Sequence, residues 1–129
     1  MNNQEIKNLV FIQYQLNPIT TYVGIIDGNK TQVLSNFMKE VSLAFNFPNY
    51  YSGNMNSFLE IMNDLSWLDA NDYVLAITES DKFLQDESVK ERSEIKDILN
   101  KISKEWSNVP NYEGESEYRK QARFIVHYM

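Results

Sequence analysis

The sequence predicts an α/β domain: a single-layer, three-stranded parallel sheet packed by helices, with elements in the order β-α-α-β-α-β. Three observations predict it. Residues 19–26 (ITTYVGII), 73–78 (YVLAIT) and 122–129 (ARFIVHYM) are short runs rich in apolar and β-branched residues, with the length and residue type of buried strands. The stretches between them repeat apolar residues at helical spacing. Strands separated by helices favour parallel pairing through right-handed crossovers.

Each element has its own signal. The first strand closes at Asp27-Gly28, a turn dipeptide. Over residues 31–45, Leu34, Phe37, Met38, Val41 and Phe45 make one stripe of an amphipathic helix, and Phe47-Pro48 stops it, since the residue before proline avoids helical angles. The loop Tyr50-Tyr51-Ser52-Gly53 leads to Asn54, a good N-cap. A short second helix then runs from Asn54 to about residue 65, with Met55, Phe58, Leu59 and Met62 as its apolar stripe. A third helix is expected over residues 88–106, with Ile95, Ile98, Leu99, Ile102 and Trp106 on one face. Pro110-Asn111 and Gly114 mark a loop. Residues 8–15 (NLVFIQYQ) are a candidate for a fourth strand at one edge of the sheet.

Composition narrows the function. The chain has 129 residues, 43% hydrophobic and 23% charged, an ordinary soluble composition for one domain. No apolar run approaches the ~20 residues of a membrane span. The first fifteen residues lack the pattern of a secretory signal, so a cytoplasmic location is expected. Cysteine is absent, which excludes disulfides, thiol nucleophiles and thiolate metal sites. The one histidine, His127, leaves little material for metal or Ser/His chemistry, and a packed or surface role is expected for it. No cofactor or metal is expected. The net charge of −6 argues against nucleic acid as a direct ligand, because phosphate binding draws on clustered Lys and Arg. Within residues 49–89, Glu60, Asp64, Asp69, Asp72, Glu79, Asp81, Asp86 and Glu87 face Lys82 alone. This acidic middle either keeps the protein soluble or attracts a basic partner.

The second helix sharpens the choice. With its apolar stripe turned to the core, Asn56, Glu60, Asn63 and Asp64 fall on the opposite face. A solvated polar face accounts for these residues equally well. The loop before the helix favours a partner: a plain connection gains nothing from Tyr50 and Tyr51, whereas an interface gains amphipathic anchors that lose little rotamer entropy. Tyr51 is expected to pack inward and Tyr50 to stay on the surface.

The stretch F-P-N-Y-Y-S-G-N-M-N-S-F-L-E, Phe47 to Glu60, resembles the hallmark segment of the barstar family, intracellular inhibitors of secreted barnase-type ribonucleases. In that family a proline and a tyrosine pair lead through a loop and an asparagine into a helix whose acidic residue enters the nuclease active site. The resemblance covers about residues 22–129, with residues 1–20 as an N-terminal extension and the loop 107–121 outside it. It implies a monomeric inhibitor or immunity protein for a secreted ribonuclease toxin with a basic active site. It places Tyr50 at the family's partner-contacting tyrosine and Glu60 at its central inhibitory carboxylate, usually an aspartate. Gly53, Asn63 and Asp64 join them as candidate partner-binding residues, with Asn56 where the family helix often carries another acid. Leu59 stands where tryptophan is common, and Trp67 corresponds to the tryptophan after this helix, across a small insertion. The Glu-for-Asp and Leu-for-Trp departures imply a target other than barnase itself. A further acidic contact on the third helix falls near Asp97, Lys101, Lys104 and Glu105, without a unique alignment.

Two other readings stay open. One is an immunity protein or interaction module for a basic partner that is not a ribonuclease. The other is a small hydrolase using Glu60 and Asp64 as an acid/base or metal-binding pair, which would need a concave, partly desolvated pocket. Asn29-Lys30-Thr31 matches a glycosylation acceptor and is read as a turn.

Overall fold

A computed structural model of the chain describes residues 1–108 and 120–129. Of the loop expected at residues 107–121, including Pro110, Asn111 and Gly114, residues 109–119 lie outside the described residues. The three strands are β1 (Thr21–Asp27), β2 (Asp72–Thr78) and β3 (Phe124–Tyr128). They pair in parallel in the order β1-β2-β3. Thr21 to Asp27 align with Asp72 to Thr78, and Tyr73 to Ile77 with Phe124 to Tyr128. The central position of β2 explains its unbroken apolar run, because both of its faces are buried from Tyr73 to Ile77.

Side chains alternate across the sheet as strand geometry requires. Tyr22, Ile26, Tyr73, Leu75, Ile77, Phe124 and Val126 face the larger core, covered by helices α2 (Leu34–Ala44), α3 (Met55–Met62) and α4 (Val89–Ser107). Val23, Ile25, Val74, Ala76 and Ile125 face a smaller core on the other side. The first predicted helix begins later than expected. A 3-10 turn at Gly28–Lys30 comes first, and Thr31 is fully buried, its hydroxyl 3.2 Å from the Asp27 carbonyl that accepts from it.

The segment expected as a fourth strand is instead helix α1 (Asn3–Gln13), which covers the smaller core. Its β-branched and aromatic residues suggested extension, but its ends and spacing are helical. Asn2 accepts from the Glu5 N–H at 2.8 Å while Glu5 accepts from the Asn2 N–H at 3.1 Å, a reciprocal capping box. Ile6 and Val10, one turn apart, are buried against the sheet. The first 16 residues thus supply the layer that a two-sided parallel sheet needs. His127 of β3 closes this layer: its Nδ1 lies 2.7 Å from the Tyr14 hydroxyl, and the two rings meet edge to face.

Phe45, at the end of α2, fixes how the larger core meets the loop that follows. A Cβ on Gly24 would collide with the Phe45 ring, so a side chain there is excluded by close approach. The ring also packs on Tyr22 and Phe124, with centroids 5.4 and 6.2 Å away. The Tyr22 hydroxyl donates to the Ala44 carbonyl at 2.5 Å, holding the last turn of α2 over β1.

Ile6→Ala should destabilise the protein by about 2–5 kcal/mol, whereas Ile12→Ala, at a residue 80% exposed, should change stability by less than about 0.5 kcal/mol. Urea unfolding of the two variants checks the helical register. Burial lowers the pKa of His127, so the folded state favours the neutral ring. Stability from this residue is complete above its ordinary value of about 6.5 and declines as pH falls below it, where the unfolded chain binds more protons. Urea midpoints measured from about pH 7.5 down to 5.5 should fall less in His127→Gln than in the wild type.

Candidate functional site

The site begins where the backbone separates the two tyrosines. Tyr51 turns inward, its N–H bonded to the Pro48 carbonyl at 3.1 Å and its ring edge-on to Phe47 at 5.0 Å. Phe47 in turn packs on Phe58 and Trp67. Tyr50, one residue earlier, points out and is 67% exposed. Gly53 follows with φ +80°, a left-handed conformation that glycine adopts without strain. Asn54 then caps α3, accepting from the Ser57 N–H at 2.8 Å, and the Ser57 hydroxyl accepts from the Ser52 N–H at 3.1 Å. The loop is therefore tied to the first turn of the helix it precedes.

Helix α3 buries Phe58, Ile61 and Met62. Met55 and Leu59 are half-buried against the same core. Ile61, absent from the predicted stripe, widens the apolar face and steepens the contrast with the polar one. Asn56 and Glu60 are exposed, and Asn63 and Asp64 are half-exposed. Leu65, which is fully buried, adopts φ +52°, a conformation costly for leucine and offset by its place in the core.

The end of α3 is braced. The Trp106 indole N–H of α4 donates to the Met62 carbonyl at 2.8 Å, and the Asn63 amide donates to the Leu59 carbonyl at 2.9 Å. The Trp67 indole N–H donates in the same way to the Phe45 carbonyl at the end of α2, at 2.8 Å. Helix ends leave carbonyls without intrahelical partners, and the two indoles meet that need, while the Asn63 amide adds a second donor to a carbonyl that already accepts the Asn63 N–H. Two predicted site residues, Asn63 and Trp67, thus make polar contacts inside the scaffold. Leu59 lies with its side chain against the core, in place of the protruding anchor a tryptophan would provide.

What remains at the surface is Tyr50, Gly53, Asn56, Glu60 and part of Asp64. The Tyr50 hydroxyl approaches Asp64 Oδ2 at 3.5 Å, a long, exposed hydrogen bond across fourteen residues of chain. Partial desolvation, then the Asp64 charge and hydrogen bond, then the Glu60 charge raise the Tyr50 phenol pKa. Tyr50 and Asp64 thus meet directly, and Glu60, one helical turn before Asp64, is near enough for its charge to act on the phenol. Among the described residues, ion pairs join Lys90 to Glu94 and Lys101 to Glu105 on α4, and neither Glu60 nor Asp64 takes part in one. Two unneutralised carboxylates one turn apart project negative charge outward. Of the α4 positions, Glu105 is half-buried and 3.9 Å from Lys101, while Asp97 is exposed.

The Tyr50–Asp64 contact and the Trp106 brace were not foreseen. The first joins loop to helix end and has no local signal in the sequence. The second had one: a tryptophan on an apolar stripe carries an N–H that needs a buried acceptor. A cleft of about 640 Å³ lies elsewhere, at the carboxyl ends of β1 and β2, lined among others by Asp27, Glu40, Glu79 and Asp81. Among the described residues, no group of three or more His, Asp or Glu is arranged to hold a metal ion. No helix among them is long and apolar enough to cross a membrane.

No curated protein matches the chain. A family model described as Barstar (barnase inhibitor) matches residues 22–126, from the second residue of β1 to the middle of β3.

Proposed function

The chain belongs to the barstar family, and from that premise we propose that it captures a secreted ribonuclease toxin and blocks its active site with the exposed acidic face of α3. Barnase-type ribonucleases are the partners of this family, and its members are inhibitors. The observation that supports the finer reading is the proximity of Tyr50 and Asp64, on the segments flanking α3, to Glu60 on that helix, which is braced at both ends.

A ribonuclease holds a polyanion, so its cleft presents Lys, Arg and His arranged for phosphate. A carboxylate on a rigid helix can take a phosphate's place, and charge-assisted hydrogen bonds from arginine to carboxylate are short and strong. Glu60 is exposed, lacks an ion pair among the described residues and sits on a regular helix. It therefore reaches a partner without first breaking an internal bond. Its extra methylene relative to aspartate extends the carboxylate further from the helix. The half-buried Leu59 beside it offers a flatter contact than an indole, which suits a target cleft without an aromatic slot. The negative excess of residues 49–89 supplies steering, which raises association rates up to ~10⁸–10⁹ M⁻¹s⁻¹ at low salt. Speed matters for an immunity protein, which must reach the toxin before the toxin reaches RNA.

Glu60→Ala should weaken toxin binding by about 2–5 kcal/mol, the loss expected when one member of a buried, hydrogen-bonded charge pair is removed. Asp64→Ala should cost much less, and both variants should keep the wild-type unfolding midpoint. A pull-down with the Glu60→Ala variant as control, followed by an RNA-degradation assay on the captured protein, checks this; equal, small losses would remove α3 as the docking element. The association rate should also fall by about tenfold or more between low and high salt, as stopped-flow mixing would measure, and a flat dependence would remove steering.

A further inference from the structure

We propose that Asp64 is a positioning residue for Tyr50: its carboxylate holds the phenol against α3 before a partner arrives, so that the hydroxyl presents its lone pairs outward as a hydrogen-bond acceptor. This deepens the reading of the α3 face as a docking surface and rests on it.

The two residues differ in how they are held. Tyr50 sits on a loop and is 67% exposed, and among the described residues its polar side-chain contact is the 3.5 Å approach to Asp64 Oδ2. Asp64 is fixed by its backbone. It lies just past the end of α3, its N–H bonds to the Ile61 carbonyl at 3.0 Å, and the N–H of the next residue, fully buried Leu65, bonds to the same carbonyl at 3.2 Å. Asp64 is half-exposed, whereas Glu60 is exposed. One acid is thus placed to act within the protein and the other to act outside it.

The direction of the bond sets what the partner meets. A carboxylate only accepts, so the phenol proton points to Asp64. The outward lone pairs then accept from an N–H donor, such as the Lys, Arg or His of a phosphate-binding cleft. Partial desolvation, the Asp64 charge and hydrogen bond and the Glu60 charge all favour the protonated phenol, in keeping with its role as donor to Asp64. A ring ordered beforehand also avoids the rotamer loss that an exposed tyrosine would otherwise suffer on binding.

The free chain tests the placement directly. Scalar couplings that report χ1 of Tyr50 should show one rotamer in the wild type and averaging in Asp64→Ala. Asp64→Asn, whose amide oxygen still accepts, should retain the single rotamer, and Glu60→Ala should leave it unchanged. The phenol of Tyr50 should titrate lower in Asp64→Ala than in the wild type. Averaging in the wild type, or no change in Asp64→Ala, would overturn the proposal. With a barnase-type ribonuclease as probe, Tyr50→Phe and Asp64→Ala should each weaken binding by about threefold to tenfold, and the double variant no more than the worse single one. Fully multiplicative losses would also overturn it. Failure of such ribonucleases to bind even the wild type would count against the proposed function instead, and the rotamer measurement would still decide this inference.

Discussion

Carbonyl groups at the ends of helices α2 and α3 need donors, and two indoles supply them. Trp67 reaches back to Phe45, and Trp106 reaches across from α4 to Met62. A buried carbonyl without a partner is costly, so these bonds fix where each helix may end and how the helices sit against one another. The loop carrying Tyr50 starts five residues after Phe45, and the polar face of α3 ends beside Met62. Its geometry is therefore set by two hydrogen bonds internal to the protein. The core beneath adds a steric constraint of the same kind, because Phe45 rests on the bare backbone of Gly24 and cannot move inward.

This division separates internally bonded side chains from exposed ones within a few residues. Asn63 and Trp67 make their polar contacts inside the protein, while Asn56 and Glu60, on the same short helix or next to it, remain exposed. Surface acids left without cations cost a little in stability. The arrangement is coherent when that charge acts on something outside the chain.

Strands and the helices over the larger core were legible because burial on one face leaves a period in the sequence. Leu34, Phe37, Val41 and Phe45 showed it for α2, and the unbroken run of β2 showed a strand buried on two faces. Helix α1 was misread because Leu9, Val10, Phe11 and Ile12 look like strand residues in isolation. The decisive signals were the Asn2–Glu5 capping box and the spacing of Ile6 and Val10, which lie upstream of that run. At the site, the expectation that Tyr51 packs inward and Tyr50 stays on the surface agrees with the structure, where Tyr51 meets Phe47 edge-on and Tyr50 is exposed. The internal roles of Asn63 and Trp67 were not legible, because a side chain's partner at a helix end depends on which backbone the fold brings near it.

The smaller core draws on both ends of the chain. Helix α1 precedes all three strands in the sequence, yet the surface it covers includes Ile125 and Met129, and its end is joined to His127. Until β3 has paired with β2, the earliest helix has only part of its docking platform. Closure of the smaller core thus waits on the strand most distant from α1 in sequence, and a lesion that unpairs β3 from β2 would also loosen the helix on the far side of the sheet.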